Sequence, residues 1–273
     1  MTSLAQTTTA MGTVVTIQIV GHDASPAEER ERAEYVRRAF EWFTRVEQRC
    51  SRFDPTSELR RLCDGVGQVV EVSDILFETT RFALALAKET GGAFDPTLGA
   101  YDSVILDADA RTLTLERPVT IDLGAVAKGF AVDMAARELA PLGNFAIDAG
   151  GDLYLAGTNM DGAPWSVGIR HPRTEGELLT TIAVTDTAVC TSGDYERGQH
   201  ILDARRNAPA QGIASVTTIA PLAMVADALG TAAFVLGVER GIELLERHGV
   251  EGLIVTTELE EFRTRGGRYL TAA

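Results

Sequence analysis

Residues 121–157, IDLGAVAKGFAVDMAARELAPLGNFAIDAGGDLYLAG, decide the fold. A strand ends at Asp122, LGAVAKG makes a tight turn, and a helix runs to about Leu139. FAIDAGGDLYLAG then reads as two short strands joined by Gly150-Gly151, because paired glycines punctuate a chain reversal. Strand, helix and hairpin in that order depart from a regular βαβ alternation. They point to an α+β protein with largely antiparallel sheets.

The flanking sequence extends the same pattern. Towards the N-terminus, TVVTIQIV (13–20) alternates as a strand should. A helix follows from Pro26, a favoured first-turn residue, through Arg49, with Phe40, Phe43 and Val46 on one face. CSRFDPTSEL (50–59) is a loop, and a helix spans about 73–89 with Ser73 as N-cap and Gly91-Gly92 as its stop. GAFDPTLG (92–99) is a second loop, and VILDADARTLTLE (104–116) a hairpin about DADAR. Towards the C-terminus, Trp165 to Val189 is irregularly strand-like, and TSGDYERGQ (191–199) and HILDARRNAPAQG (200–212) are polar loops. ASVTTIA (214–220) is a strand, Pro221 opens an apolar helix to about Leu236, and a charged helix covers 239–248. Strands near 252–256 and 267–271 close the chain. No linker marks a domain boundary and no internal repeat is found, so residues 1–273 read as one domain.

Composition narrows the function. The 273 residues carry 39 Asp plus Glu against 25 Lys plus Arg, a formal charge of −14. Such a surface repels phosphate backbones and anionic lipid, which argues against nucleic-acid and membrane-surface roles. An anionic small substrate would need a local cation, either a lysine or a bound metal. Cys50, Cys63 and Cys190 are odd in number and lack C-x-x-C spacing, so they read as buried hydrophobes, not a disulfide framework or a zinc cage. The N-terminal twenty residues have no Lys or Arg and no continuous apolar stretch, so no secretory or lipoprotein signal is read. The expected location is cytoplasmic, or exported if a leader has been removed. Residues 219–238 are apolar but contain Pro221 and Asp227. A central Asp costs about 2.5–3.5 kcal/mol on insertion scales, so a buried helix is expected there and no transmembrane segment.

Three constellations could carry chemistry. In IDLGAVAKGF (121–130), Lys128 sits in the first helical turn, where free N–H groups and an ammonium suit a phosphate or diphosphate. The plain alternative is a capped helix with a solvated lysine. Asp227 and Thr231 lie four apart in an apolar helix, so their oxygens share one face. A buried carboxylate there needs a partner: either a hard cation such as Mg²⁺ or the backbone of a nearby loop. TSGDYERGQHILD (191–203) gathers Ser192, Asp194, Tyr195, Arg197, His200 and Asp203. His200 is either a general base or a satisfied structural histidine. Phe53 and Phe94, each before Asp-Pro, could be core residues or could flank a planar ring.

Taken in order, MGT (11–13), SRFDPTSEL, GAFDPTLG, IDLGAVAKGFAVD, IDAGGD, TSGDYER, HILD and APLAMVADALGTAAFVLG resemble the ApbE family of FAD:protein FMN transferases. The match runs from residue 11 to about 237. DLGAVAKG, TSGDYER and ADALGTA are together highly specific. The resemblance implies an α+β architecture of two lobes sharing a flavin cleft, with FAD as substrate. Met11, Phe53, Ala93, Phe94, Asp95, Asp122, Lys128 and Leu202 match FAD-contacting positions, and Phe53 would stack on the isoalloxazine. The family's Mg²⁺ site maps onto the carbonyl of Ala125 and the side chains of Asp227 and Thr231.

The implied reaction is attack by a Thr or Ser hydroxyl of an acceptor flavoprotein on the FMN-side phosphorus, releasing AMP. Mg²⁺ and Lys128 would neutralise the diphosphate, and His200 is the candidate base, with Asp194 or Asp227 as rivals. The family's acceptors carry a D-G-x-[ST]-type motif, which no interval of this chain advertises, so self-modification is not expected. Several positions depart from the family pattern. HILDARRNAP replaces H-I-x-D-P-x-T-G, losing the Pro and the Thr-Gly. DLGA stands for the commoner DLGG or DLSA, and Gly230 stands where some members have a side-chain metal ligand, so one oxygen must come from water or elsewhere. The altered loop keeps two other readings open: an FAD pyrophosphatase giving FMN and AMP, and a flavin-binding protein without turnover.

Overall fold

The computed structural model describes residues 2–22, 24–194 and 201–270. It opens with a hairpin, β1 (Thr2–Ala10) and β2 (Thr13–Gly21), turned by Met11 and Gly12. Both turn residues have positive φ, +52° and +73°, the geometry a two-residue hairpin needs to match strand twist. Only β2 was legible in the sequence. β1 is polar and largely exposed, so it shows no apolar alternation, and it is held by its ladder to β2.

Helix α1 (Pro26–Cys50) starts at a capping box in which Ser25 and Glu28 satisfy each other's backbone N–H groups. α2 (Glu58–Asp64) follows, then β3 (Val69–Glu71) and α3 (Asp74–Glu89). α2 begins inside the segment expected to be loop, because Ser57 caps it by accepting from Arg60 N–H at 3.1 Å. Glu58 in turn accepts from Ser73 N–H and Oγ–H, both at 2.6 Å, fixing the start of α3. The hairpin β4 (Val104–Asp107) and β5 (Thr112–Leu115) joins β3 in a three-stranded sheet of order β3-β5-β4.

The expected strand ending at Asp122 is absent. Its backbone N–H donates to the Pro96 carbonyl at 2.7 Å and so joins two loops. Helix α4 (Gly124–Leu139) starts directly after it, so GAVAKG is helical and Lys128 begins the second turn. β6 (Phe145–Ala149) and β7 (Asp152–Ala156) form the expected Gly-Gly hairpin. β8 (Trp165–Arg170) and β9 (Leu178–Val184) pair as a separate ribbon, and β10 (Thr187–Gly193) takes in the first residues of the segment read as polar loop. β11 (Leu202–Asp203) and β12 (Ala208–Pro209) make a small hairpin within the second expected loop.

β13 (Ile213–Ala220), α5 (Ala223–Leu236), α6 (Val238–Arg247), β14 (Glu251–Thr256) and β15 (Glu261–Arg263) complete the chain. Residues 267–270 form no strand. The N–H groups of Arg268, Tyr269 and Leu270 instead converge on the Glu251 carboxylate at 2.6, 2.8 and 3.2 Å.

The main sheet has eight strands in the order β1-β2-β6-β7-β10-β13-β14-β15, every pairing antiparallel. Its two faces bury different partners. Val15, Ile17, Ile147, Cys190, Val216 and Ile254 face the helices, whereas Val189, Ile219, Leu253 and Val255 face Trp165, Val167 and Ile169 of the β8–β9 ribbon. All of β13 is therefore buried, Ser215, Thr217 and Thr218 included. No helix among the described residues is long and apolar enough to cross a membrane. α5 has 14 residues, which at 1.5 Å per residue is only about 21 Å, and it is core.

The contact between α4 and α5 has an ionisable group at its centre. Asp133 of α4 accepts from the N–H groups of Ala223 and Met224 at 2.7 and 3.0 Å. Burial pushes its carboxyl up to about 6, against the lowering effect of those two amides. A carboxyl whose pKa rises on folding holds its proton more tightly when folded. Its contribution to stability is thus present below about pH 4 and lost as pH rises through about 6. Measured against Asp133→Asn, the native protein should lose about 2–3 kcal/mol of unfolding free energy from about pH 4 to about pH 7. Paired denaturant titrations giving a flat difference across that window would contradict this.

Candidate active site between α4 and α5

Lys128 projects from α4 towards the β6–β7 turn. Its Nζ lies 2.7 Å from Asp152 Oδ2 and donates to the Gly150 carbonyl at 3.4 Å. Asp152 is 1% exposed and Asp227 of α5 8% exposed. Burial works against the Lys128 charge, but the carboxylates of Asp152 and Asp227 outweigh it and raise its pKa above the ordinary lysine value. The ammonium is therefore a permanent charge held between two elements. It is not the solvated lysine that the sequence left as an alternative.

The oxygens of α5 meet the end of β10 at this point. Thr231 Oγ1 is 3.2 Å from Ser192 Oγ. A Cβ added at Gly230 would lie 3.2 Å from Thr218 Oγ1 and 3.5 Å from Ser192 Oγ, so these hydroxyls crowd the position where a larger residue would stand. Beneath them Cys190 is fully buried. Burial, reinforced by Asp152 and Asp227, raises its thiol pKa well above the usual value, so it stays protonated and inert.

Among the described residues, no three His, Cys, Asp or Glu side chains converge as a metal cage. One buried carboxylate with two hydroxyls and nearby backbone carbonyls is an all-oxygen donor set. It suits Mg²⁺, which is typically held by one or two carboxylates while keeping waters and substrate phosphates. The residues present fit that ion. Ala125, whose carbonyl was matched to it, lies in the first turn of α4.

The N-terminal hairpin reaches the same place. Gly150 has φ +65°, and a Cβ there would sit 2.1 Å from Thr13 Oγ1, so only glycine lets the Met11-Gly12-Thr13 turn lie against the β6–β7 turn. Met11 N–H donates to Glu47 Oε1 at 3.1 Å, anchoring the turn to α1.

A second group of predicted residues lines up ahead of α4. Asp122 Oδ1 accepts from Gly124 N–H at 2.9 Å, and its Oδ2 lies 3.1 Å from Arg52 Nε. The Arg52 guanidinium also lies 4.5 Å from the centroid of the Phe53 ring, a cation–π contact. Phe53 is 80% exposed, offering a free aromatic face. Phe94 is 6% exposed and Ala93 is buried, so both belong to the core. Asp95 folds its own loop: Oδ1 accepts from Thr97 N–H and Oγ–H at 2.7 and 2.6 Å, and Oδ2 from Gly99 N–H at 2.8 Å.

Leu202, 36% exposed, opens the altered HILDARRNAP loop. That loop keeps a defined shape without the Pro and Thr-Gly. Asp203 accepts from Arg205 N–H at 3.0 Å and pairs with its guanidinium through both oxygens at 2.8 Å. A Cβ on Gly92 would lie 3.8 Å from Arg205 Cγ, so this loop abuts the one carrying Ala93, Phe94 and Asp95. Asp194 is engaged elsewhere, with Arg173 binding both of its oxygens at 2.7 and 2.9 Å. His200, and with it Tyr195 and Arg197, lies outside the described residues.

Sequence reasoning passed over Asp152, Arg52 and Asp133. Asp152 was visible only as the last residue of a glycine turn. Asp133 was visible only as one polar residue in a helix whose apolar side chains point in several directions.

An antiparallel sheet backed by helices, with a partly buried lysine and buried carboxylates meeting between α4 and α5, defines an α+β class with solved members. The fold superposes on the ApbE protein of Thermotoga maritima with a TM-score of 0.85 at 29% identity, covering 97% of both chains. For the flavin transferase ApbE of Vibrio cholerae the TM-score is 0.86 at 24% identity, again over 97% of both chains. The sequence model of the ApbE family matches residues 11–254, and the chain belongs to that family. Among its relatives, the FAD:protein FMN transferase of Haemophilus influenzae is 29% identical over 262 residues, 78% of this chain and 76% of that protein. The FAD:protein FMN transferase of Treponema pallidum is 33% identical over 241 residues, 68% of this chain and 67% of that protein.

Proposed function

We propose that this protein is a Mg²⁺-dependent FAD:protein FMN transferase, which moves FMN from FAD to a Thr or Ser hydroxyl of an acceptor flavoprotein and releases AMP. The observation that carries this reading is the partly buried Lys128 ammonium held beside the buried Asp152 and Asp227, with the Thr231 and Ser192 hydroxyls adjoining. Such a cluster sets an ammonium beside hard oxygen ligands inside a chain of net charge −14, and a divalent cation held by those ligands would make it net positive. A diphosphate needs both to bind and react. The reading treats residues 1–273 as one domain whose two lobes share the flavin cleft.

Each residue then has a task. The exposed face of Phe53 stacks on the isoalloxazine, and Arg52, paired with Asp122, backs the ring's other face. Met11, Ala93, Phe94, Asp95, Asp122 and Leu202 form the walls of the FAD site. Lys128 orients and neutralises the diphosphate, which directs the acceptor oxygen to the FMN-side phosphorus. The new P–O bond forms as the bond to the AMP phosphate breaks, and AMP leaves with the electron pair. Asp227, Thr231 and the Ala125 carbonyl would hold Mg²⁺, with Ser192 Oγ as an added oxygen where Gly230 supplies none. When bound, that ion supplies charge neutralisation on the diphosphate oxygens. Since Arg173 occupies both Asp194 oxygens, the proton acceptor is assigned to His200, with Asp227 as its rival. Chemistry of this kind relies on positioning and charge more than on a protein nucleophile.

The test is mass spectrometry of an acceptor flavoprotein domain carrying a D-G-x-[ST]-type motif, incubated with this protein, FAD and Mg²⁺. One added FMN on a Thr or Ser, absent with EDTA, is the expected result. Release of FMN and AMP without an adduct on any acceptor tried would instead establish a pyrophosphatase. Intact FAD would leave a binding protein. Phe53→Ala should weaken FAD binding by about 2–10-fold, from the roughly 0.5–1.5 kcal/mol that stacking adds beyond burial. Because the ring is so exposed, the melting temperature should stay put. Fluorescence titration showing an unchanged dissociation constant would remove Phe53 from the site.

A further inference from the structure

Asp133 has no part in the chemistry above, yet it bridges the two helices that carry it. Lys128 and Asp133 belong to α4, whereas Asp227 and Thr231 belong to α5. The Asp133 side chain is 6% exposed, and its two oxygens take the N–H groups of Ala223 and Met224, the first residues of α5. Leu222, the N-cap residue of α5, makes no side-chain cap. A second contact lies one turn away on the same face of α4. A Cβ on Gly129 would come within 2.6 Å of the Ala223 carbonyl oxygen and of Met224 N and Cα. α4 therefore grips the first turn of α5 at two points, one hydrogen-bonded and one steric.

A local cap at position 222 would stabilise α5 as a helix without fixing it relative to Lys128. A cap delivered from α4 does both, because the start of α5 is then registered to the helix that bears the lysine. Asp227 lies one turn beyond Ala223, so any slip of the first turn is carried to its carboxylate.

We propose that Asp133 is a positioning residue: by clasping the N-terminus of α5 from α4, it sets Asp227 and Thr231 at the place where they take a divalent cation beside Lys128. This rests on the reading of that site as the Mg²⁺ site. It predicts that losing the clasp weakens the cation and leaves the flavin pocket alone, since Phe53, Asp95 and Leu202 stand on other loops.

The experiment titrates Mn²⁺ into the FAD-bound protein by electron paramagnetic resonance. It compares the native chain with Asp133→Asn, Asp133→Ala and Asp227→Ala, and measures FAD affinity in EDTA and urea unfolding for each. Asp133→Ala should weaken Mn²⁺ binding by about 10–100-fold, as removal of an outer partner of a metal ligand does, with Asp133→Asn weakened less. FAD affinity in EDTA should be unchanged. Native Mn²⁺ affinity in a folded but less stable Asp133 variant would make the clasp purely structural and overturn the proposal. If Asp133→Ala does not fold, Asp133→Asn, which keeps one acceptor, decides the matter. If Asp227→Ala binds Mn²⁺ like the native protein, the site reading itself fails and the proposal falls with it. Loss in Asp227→Ala without loss in Asp133→Asn removes the proposal alone.

Discussion

Asp227→Ala should reduce Mg²⁺-dependent FMN transfer by about 10³-fold or more, since a catalytic metal supplies several kcal/mol of charge stabilisation and each 1.36 kcal/mol is tenfold in rate. The size of the effect follows from how few charges the site offers. Thr231 and Ser192 give neutral hydroxyls, and Asp152 is committed to Lys128 at 2.7 Å. Asp227 is thus the one carboxylate on α5, and neither hydroxyl can supply its charge. The fold should survive, because Lys128 keeps Asp152 as its partner once Asp227 is gone. The measurement is AMP release and FMN-adduct formation against Mg²⁺ concentration, with circular dichroism as the folding control. Turnover within threefold of the native protein would move the metal away from α5.

Lys128→Met is the second large effect, and it has two separable parts. Turnover should fall by about 10²–10³-fold, the usual loss when one preorganised charge-stabilising donor is removed. Stability should fall as well, by about 3–5 kcal/mol, because Asp152 is then left as an uncompensated buried charge. Adding Asp152→Asn to Lys128→Met neutralises that carboxylate and should restore most of the stability while leaving turnover low. Thermal denaturation and AMP release on the three variants separate the parts. Recovery of activity in the double variant would show that Lys128 serves only to neutralise Asp152. Unchanged stability in the single variant would show that Asp152 does not depend on the lysine.

Much of the fold could be read from local pattern. Helices with strong caps and stops were placed within a residue or two: α3 begins after Ser73, whose hydroxyl accepts from Leu76 N–H at 3.4 Å, and ends before Gly91-Gly92. Some misses were local, such as α2, whose Ser57 cap lies within the segment read as loop, and others depend on a pairing partner. β1 exists because β2 offers it a ladder, and residues 267–270 are held by the Glu251 carboxylate where a strand was expected. Both depend on a partner outside the segment itself, and a segment's own periodicity carries no record of such partners. In the site, the four-residue spacing of Asp227 and Thr231 announced a shared face, because helix geometry fixes it. Asp152 announced nothing, and Ser192 stood out only as one polar residue of a loop, since their places beside α4 and α5 arise only when the β6–β7 turn and the end of β10 arrive there.

The tetrapeptide Phe-Asp-Pro-Thr occurs twice, at 53–56 and at 94–97, and separates the two kinds of information. In both copies the Asp carboxylate accepts from the N–H and hydroxyl of the Thr two residues on, at 2.8 and 2.7 Å for Asp54 and at 2.7 and 2.6 Å for Asp95. That turn is a property of the sequence, because every group in it lies within reach along the chain. The phenylalanines part company, with Phe53 80% exposed beside Arg52 and Phe94 6% exposed in the core. Sequence alone determined the turns, the caps, the helical faces and the family. Tertiary structure decided which aromatic stays exposed and which carboxylates share one lysine, because burial and charge pairing depend on segments that only folding brings together.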